Sequence, residues 1–120
     1  MSERKILLAE DEDVMRAMLV DFFTMFEYQI DEAENGRIAW DKWQEKDYQL
    51  VISDINMPEM SGVELLKKIK TEKPDFPVIL ITGVTVDKAK KSAEDNKANA
   101  FLSKPFKMKE LLTIVQELIG

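Results

Sequence analysis

The chain has 120 residues, enough for one domain with a buried core, and its 45% apolar and 33% charged residues are the balance of an ordinary soluble globular protein. It contains neither cysteine nor histidine. That excludes disulfides, thiolate metal sites, cysteine nucleophiles, imidazole bases and any phosphohistidine formed on this chain. The net charge of −6 weakens attraction to nucleic acid and to anionic membranes, and no apolar run is long enough to span a bilayer.

Met1-Ser2-Glu3-Arg4-Lys5 runs straight into Lys5-Ile6-Leu7-Leu8-Ala9, a buried strand, with no signal-peptide core or cleavage site. The cytoplasm is therefore the expected compartment. Val14 to Phe26 has helical spacing, with Val14, Met18 and Phe22 on one stripe and Met15, Leu19 and Phe26 beside it. Tyr28-Gln29-Ile30 reads as a more polar strand at or near a sheet edge. After the Asn35-Gly36 turn, a short helix from Ile38 to Glu45 carries Trp40 and Trp43, whose spacing predicts core rather than a recognition patch. Leu50-Val51-Ile52-Ser53 is the next strand, broken by Asn56-Met57-Pro58.

Ser61-Gly62-Val63-Glu64 has the spacing of a capping box, so a helix starts there and runs to about Thr71, stopped by Lys73-Pro74. Pro77-Val78-Ile79-Leu80-Ile81 has no polar alternation, as expected of a strand covered on both faces. Val86 to Asp95 is a helix with only Val86, Ala89 and Ala93 to bury, so packing holds it weakly. Asn99-Ala100-Phe101-Leu102 is the last strand. Met108 to Ile119 is the last helix, with Leu111, Leu112, Val115, Leu118 and Ile119 inward. The methionines are expected to fill the core.

Strand and helix thus alternate along the whole chain, with no linker or repeat. The alternation predicts parallel strands, right-handed crossovers and helices on both faces. At this length the expected fold is α/β, a flavodoxin-like doubly wound sheet of five parallel strands in the order 2-1-3-4-5 with five helices, one domain over 1–120. Ligands of such sheets bind beyond the carboxyl ends of the strands. The residues delivered there are Glu10 and Asp11 after the first strand, Asp54 after the third, Thr82 after the fourth and Lys104 after the fifth. Three carboxylates so close repel one another, and a hard cation with oxygen ligands, Mg²⁺, relieves this. Asp54 is a candidate nucleophile toward phosphorus, with Lys104 and the Thr82 hydroxyl to hold phosphoryl oxygens.

These residues carry a family resemblance. Ile6-Leu7-Leu8-Ala9-Glu10-Asp11-Glu12, the run from Val51 to Gly62, Ile79-Leu80-Ile81-Thr82-Gly83 and Phe101-Leu102-Ser103-Lys104-Pro105-Phe106 together resemble the receiver domain of two-component response regulators. The resemblance implies that Asp54 is phosphorylated, that Asp11 binds Mg²⁺ directly and Glu10 assists, and that the Asn56 backbone carbonyl is a further ligand. It implies that Thr82 and Lys104 hold the phosphoryl group, that Phe101 is an aromatic switch, and that Lys104-Pro105 is cis. The implied donor is a sensor histidine kinase or a histidine phosphotransfer protein. The implied output is contact with a downstream protein through the fourth helix, fifth strand and fifth helix. Neither nucleic acid nor membrane is an expected partner, and the chain is expected to be a monomer or a weak phosphorylation-dependent dimer without an output domain.

Three features depart from the family pattern. Glu10 stands where an aspartate is usual; Asn96-Lys97-Ala98-Asn99 lacks the usual glycine, which points to Asn96 as the residue at positive φ; and Val84, with Asn56, occupies a position that tunes phosphate lifetime. The rival reading is a turnover enzyme, a haloacid-dehalogenase-type phosphatase. It usually needs a second acid two residues after the nucleophile, where this chain has Asn56, and no segment is available as a cap.

Overall fold

The computed structural model describes residues 4–83 and 86–120. Its strands are β1 (Lys5–Ala9), β2 (Gln29–Ala33), β3 (Leu50–Asp54), β4 (Val78–Thr82) and β5 (Ala100–Ser103). Its helices are α1 (Asp13–Met25), α2 (Gly36–Glu45), α3 (Gly62–Glu72), α4 (Val86–Asp95) and α5 (Met108–Ile119). All strand pairs are parallel and the order is β2-β1-β3-β4-β5, the flavodoxin-like arrangement expected from the sequence. Polar β2 takes an edge, and it runs three residues further than its apolar content predicts, to Ala33.

Strand side chains alternate between two cores. Leu7 and Ala9 of β1, Val51 of β3 and Val78 and Leu80 of β4 meet Ala39 and Trp43 of α2 and Leu65, Leu66 and Ile69 of α3. Ile6, Leu8, Leu50, Ile52, Ile79 and Ile81 meet Leu19 and Phe23 of α1 and Leu111, Leu112 and Val115 of α5. Every residue of β3 and β4 is buried, which is why these strands read as continuous apolar runs. Each large side chain so buried stabilises the fold by about 1.5–3 kcal/mol. By contrast, among the described side chains of α4 the apolar ones packed inward are Ala93 and part of Ala89, a small area to hold it to the sheet.

The predicted capping box is present: Ser61 Oγ accepts from the Glu64 N–H at 3.1 Å and the Glu64 carboxylate from the Ser61 N–H at 3.5 Å. Trp43 is buried edge-on to Phe76, and Trp40 stacks on it at 5.5 Å while staying half-buried. Three expectations need correction. On α1 the buried residues are Leu19 and Phe23, while Val14, Met18 and Met25 are more than half exposed, so those methionines do not fill the core. The positive φ after α4 falls on Lys97 (64°), not Asn96. The reason is the helix end: Ala98 N–H reaches Ala93 O and Lys97 N–H reaches Glu94 O, which makes Lys97 the left-handed residue. Asn96 instead donates its side chain to Ser92 O. Glu27 (φ 68°) ends α1 by the same motif, sealed by the Phe23–Tyr28 ring contact.

Candidate functional site at the carboxyl ends of the strands

The strand register sets the site. Ala9 pairs with Ser53, so Glu10 follows β1 at the level of Asp54. Asp54 pairs with Ile81, which places Thr82 one step beyond it, and Thr82 pairs with Ser103, which places Lys104 at the mouth. Glu10, Asp54 and Thr82 are all buried, Glu10 at 1% exposure. The neighbouring Ser53 hydroxyl is satisfied by donating to Asp54 O at 2.8 Å.

Lys104 organises the carboxylates. Its ammonium donates to Glu10 Oε1 at 3.2 Å, Glu12 Oε1 at 3.0 Å and Asp54 Oδ2 at 3.0 Å, which uses the three donors of a lysine. The Lys104-Pro105 peptide that turns the chain here is cis, as expected. The other Asp54 oxygen, Oδ1, accepts from the Asn56 N–H at 3.3 Å. Gly62 is required behind it: a Cβ there would sit 2.2 Å from Asp54 O, and the Gly62 N–H donates to Ile55 O. Gly36 plays the same part where α2 meets the loop after β3, since a Cβ would lie 1.9 Å from Met60 O.

The electrostatics follow from burial. Loss of water raises Glu10 from 4.5 to about 7; the Glu12 N–H opposes this, Asp54 adds to it, and Lys104 opposes it. Burial pulls Lys104 down, but its bonds to Glu12 and Asp54 and the charges of Asp54 and Glu10 raise it overall. The oxygen donors therefore fit a hard divalent cation: among the described residues Glu10, Glu12 and Asp54 each offer a carboxylate oxygen, all within 4.8 Å of one another.

Glu10, Asp54, Thr82 and Lys104 thus lie together at the carboxyl ends of the strands, as the sequence led us to expect. Asp11 does not join the carboxylate group. It sits exposed in the bend after Glu10, and Glu12 is the neighbour that reaches Lys104. Sequence reasoning missed Glu12, whose only signal was its place in the acidic run after β1. Asn56 is exposed. Phe101 is half-buried and packs against the α2–α3 core. Val84 lies outside the described residues.

The model of the response regulator receiver domain matches residues 6–116. The response regulator receiver protein CpdR of Brucella abortus is 32% identical over 116 residues, 97% of each chain. Longer curated relatives also match, and the chain spans about half their length or less. Among solved structures, the chemotaxis protein CheY4 of Vibrio cholerae superposes with a TM-score of 0.89 at 28% identity, covering 98% of this chain and 99% of that one. The response regulator TrrA of Thermotoga maritima, solved in complex with Mg²⁺-BeF, gives 0.87 at 35% identity, covering 96% and 98%. Among the described residues no helix is long and apolar enough to cross a membrane.

Proposed function

The chain belongs to the response regulator receiver domain family, and on that premise we propose that Asp54 is a phosphoryl acceptor in two-component signalling. The observation that carries this reading is the Lys104 ammonium, 3.0 Å from Asp54 Oδ2 among three carboxylates at the carboxyl ends of β1, β3 and β5. An Asp54 oxygen attacks phosphorus of a phosphohistidine on a histidine kinase or histidine phosphotransfer protein. The P–N bond breaks, the imidazole leaves with the electron pair, and an aspartyl phosphate remains. Lys104 and the Thr82 hydroxyl hold phosphoryl oxygens; hydrolysis of the acyl phosphate resets Asp54.

Glu10, Asp11 and Asp54 with the Asn56 carbonyl would hold Mg²⁺. All four are oxygen donors of the kind a hard cation takes, carboxylate oxygens of Glu10, Glu12 and Asp54 already converge there, and the relative TrrA was solved with Mg²⁺-BeF. When bound, the ion neutralises charge on the phosphoryl oxygens. The state of Thr82 is read by Phe101 and passed to the face made by α4, β5 and α5. There an open groove of about 670 Å³, lined by Lys90, Ala93, Phe101, Ser103, Pro105 and Glu110, offers a surface to a downstream protein. The weak burial of α4 suits an element whose position is to be biased. On this reading residues 1–120 act as one receiver in the cytoplasm, as a monomer or a weak phosphorylation-dependent dimer.

The test is intact mass after incubation with acetyl phosphate, with and without Mg²⁺, for wild type and Asp54→Asn. A Mg²⁺-dependent gain of one phosphoryl group, absent from the variant, is the expected result. A folded, Mg²⁺-binding wild type that gains none refutes the reading. Multiple turnover of small phosphate esters would instead favour the phosphatase.

A further inference from the structure

Glu12 is an odd residue for its position. It is the N-cap of α1, where Ser, Thr, Asp or Asn ordinarily accepts from a helix N–H, yet its side chain makes no cap bond. The carboxylate turns away from its own helix and accepts from Lys104 Nζ, 92 residues along the chain, at 3.0 Å. The backbone N–H of Glu12 is held separately by Glu10 Oε2 at 3.1 Å, so the loop does not depend on the Glu12 side chain.

We propose that Glu12 is a positioning residue that holds the Lys104 ammonium back in the resting state, so that an arriving phosphoryl group must displace it. The inference rests on Asp54 being the phosphoryl acceptor. All three donors of Lys104 are taken, by Glu10, Glu12 and Asp54. A phosphoryl oxygen entering the crevice is a fourth acceptor, so one carboxylate must yield. Asp54 is the nucleophile. Glu10 is buried, and stripping its cation leaves a desolvated charge. The Glu12 side chain is 63% exposed, and water replaces the lysine at little cost. Glu12 is therefore the contact that gives way, and its strength sets a threshold for phosphorylation. Its carboxylate at the mouth also faces every anionic donor.

Wild type, Glu12→Ala and Glu12→Asp are compared with acetyl phosphate at saturating Mg²⁺, the rate of phosphoryl gain being read by intact mass. Mg²⁺ affinity is measured by calorimetry, and the Lys104 ammonium by its ¹⁵N and ¹H resonances. The aspartate keeps the charge but is one methylene too short to hold Lys104. Both variants are expected to gain the phosphoryl group roughly two- to fivefold faster, the worth of one solvent-exposed ion pair, with a shifted Lys104 resonance and Mg²⁺ still bound. Acceleration in Glu12→Ala alone overturns the proposal in favour of plain charge repulsion. Unchanged or slower rates in both overturn it as well. So does a collapse of Mg²⁺ affinity, which makes Glu12 a metal ligand. A wild type that gains no phosphoryl group overturns the function itself and this inference with it.

Discussion

Replacing Glu10 by glutamine should change how stability depends on pH, and the size of the change follows from the site. Glu10 is 1% exposed, and burial lifts it from 4.5 to about 7, with Asp54 adding to the lift. Between those values the folded protein holds a proton that the unfolded chain has released. Stability therefore falls as pH rises through this window, and the whole fall is worth about 3 kcal/mol. Below the window both states are protonated and the penalty vanishes; above it both are ionised and the penalty is complete. Glu10→Gln removes the titration, so without Mg²⁺ the variant should match wild type near pH 4.5 and exceed it by about 3 kcal/mol near pH 8. With no histidine in the chain, no other side-chain type ordinarily titrates there, which makes the signal clean. The assay is urea denaturation followed by far-ultraviolet circular dichroism at half-unit pH steps with a chelator. In wild type, excess Mg²⁺ should flatten the dependence, because a cation stabilises the ionised form. Parallel curves for wild type and variant without Mg²⁺ would refute the reasoning.

Three further substitutions test the scaffold. Gly62→Ala drives a Cβ to 2.2 Å from Asp54 O and 2.9 Å from Ile55 Cα, both backbone, so it should cost about 1–3 kcal/mol and melt several degrees lower. Among the described residues Gly83→Ala meets nothing nearer than Lys104 Cδ at 3.5 Å, and it should stay within about 0.5 kcal/mol of wild type in the same melt. Tyr48→Phe removes a 2.6 Å bond to Asp31 Oδ2. Burial pushes Asp31 up, but the Tyr48 hydroxyl, Lys46 and Lys5 together hold it below its usual range. This stability is present above pH 3.8 and is lost as pH falls through the lowered value. The variant should lose about 1–2 kcal/mol at pH 7 and less in acid, as read by urea denaturation at pH 7 and pH 3.

The order of elements and the two-sided burial of the sheet were legible in the chain. Apolar runs without alternation, as in Val78 to Ile81, arise only where both faces are covered, and such strands joined by helices leave few topologies. The strand ends were equally plain: Asp54 and Thr82 each close an apolar run, so topology alone brought them together. The cap formed by Ser61 and Glu64 is a local contact at fixed spacing and needed nothing more than sequence.

The remaining features depend on contacts between residues far apart in the chain. Leu19 and Phe23 face inward on α1 while Val14, Met18 and Met25 face out, because α1 packs against β2 and α5 and hydropathy alone does not orient it. The left-handed residue after α4 is Lys97 because the helix keeps its hydrogen bonds one residue longer than composition suggests. Most telling is the acidic run after β1. Glu10, Asp11 and Glu12 are adjacent and chemically alike, yet Glu10 turns into the protein, Asp11 stays in solvent and Glu12 reaches Lys104. That division is made by one bend in the chain and by a lysine carried on β5's far end, and no local pattern encodes either.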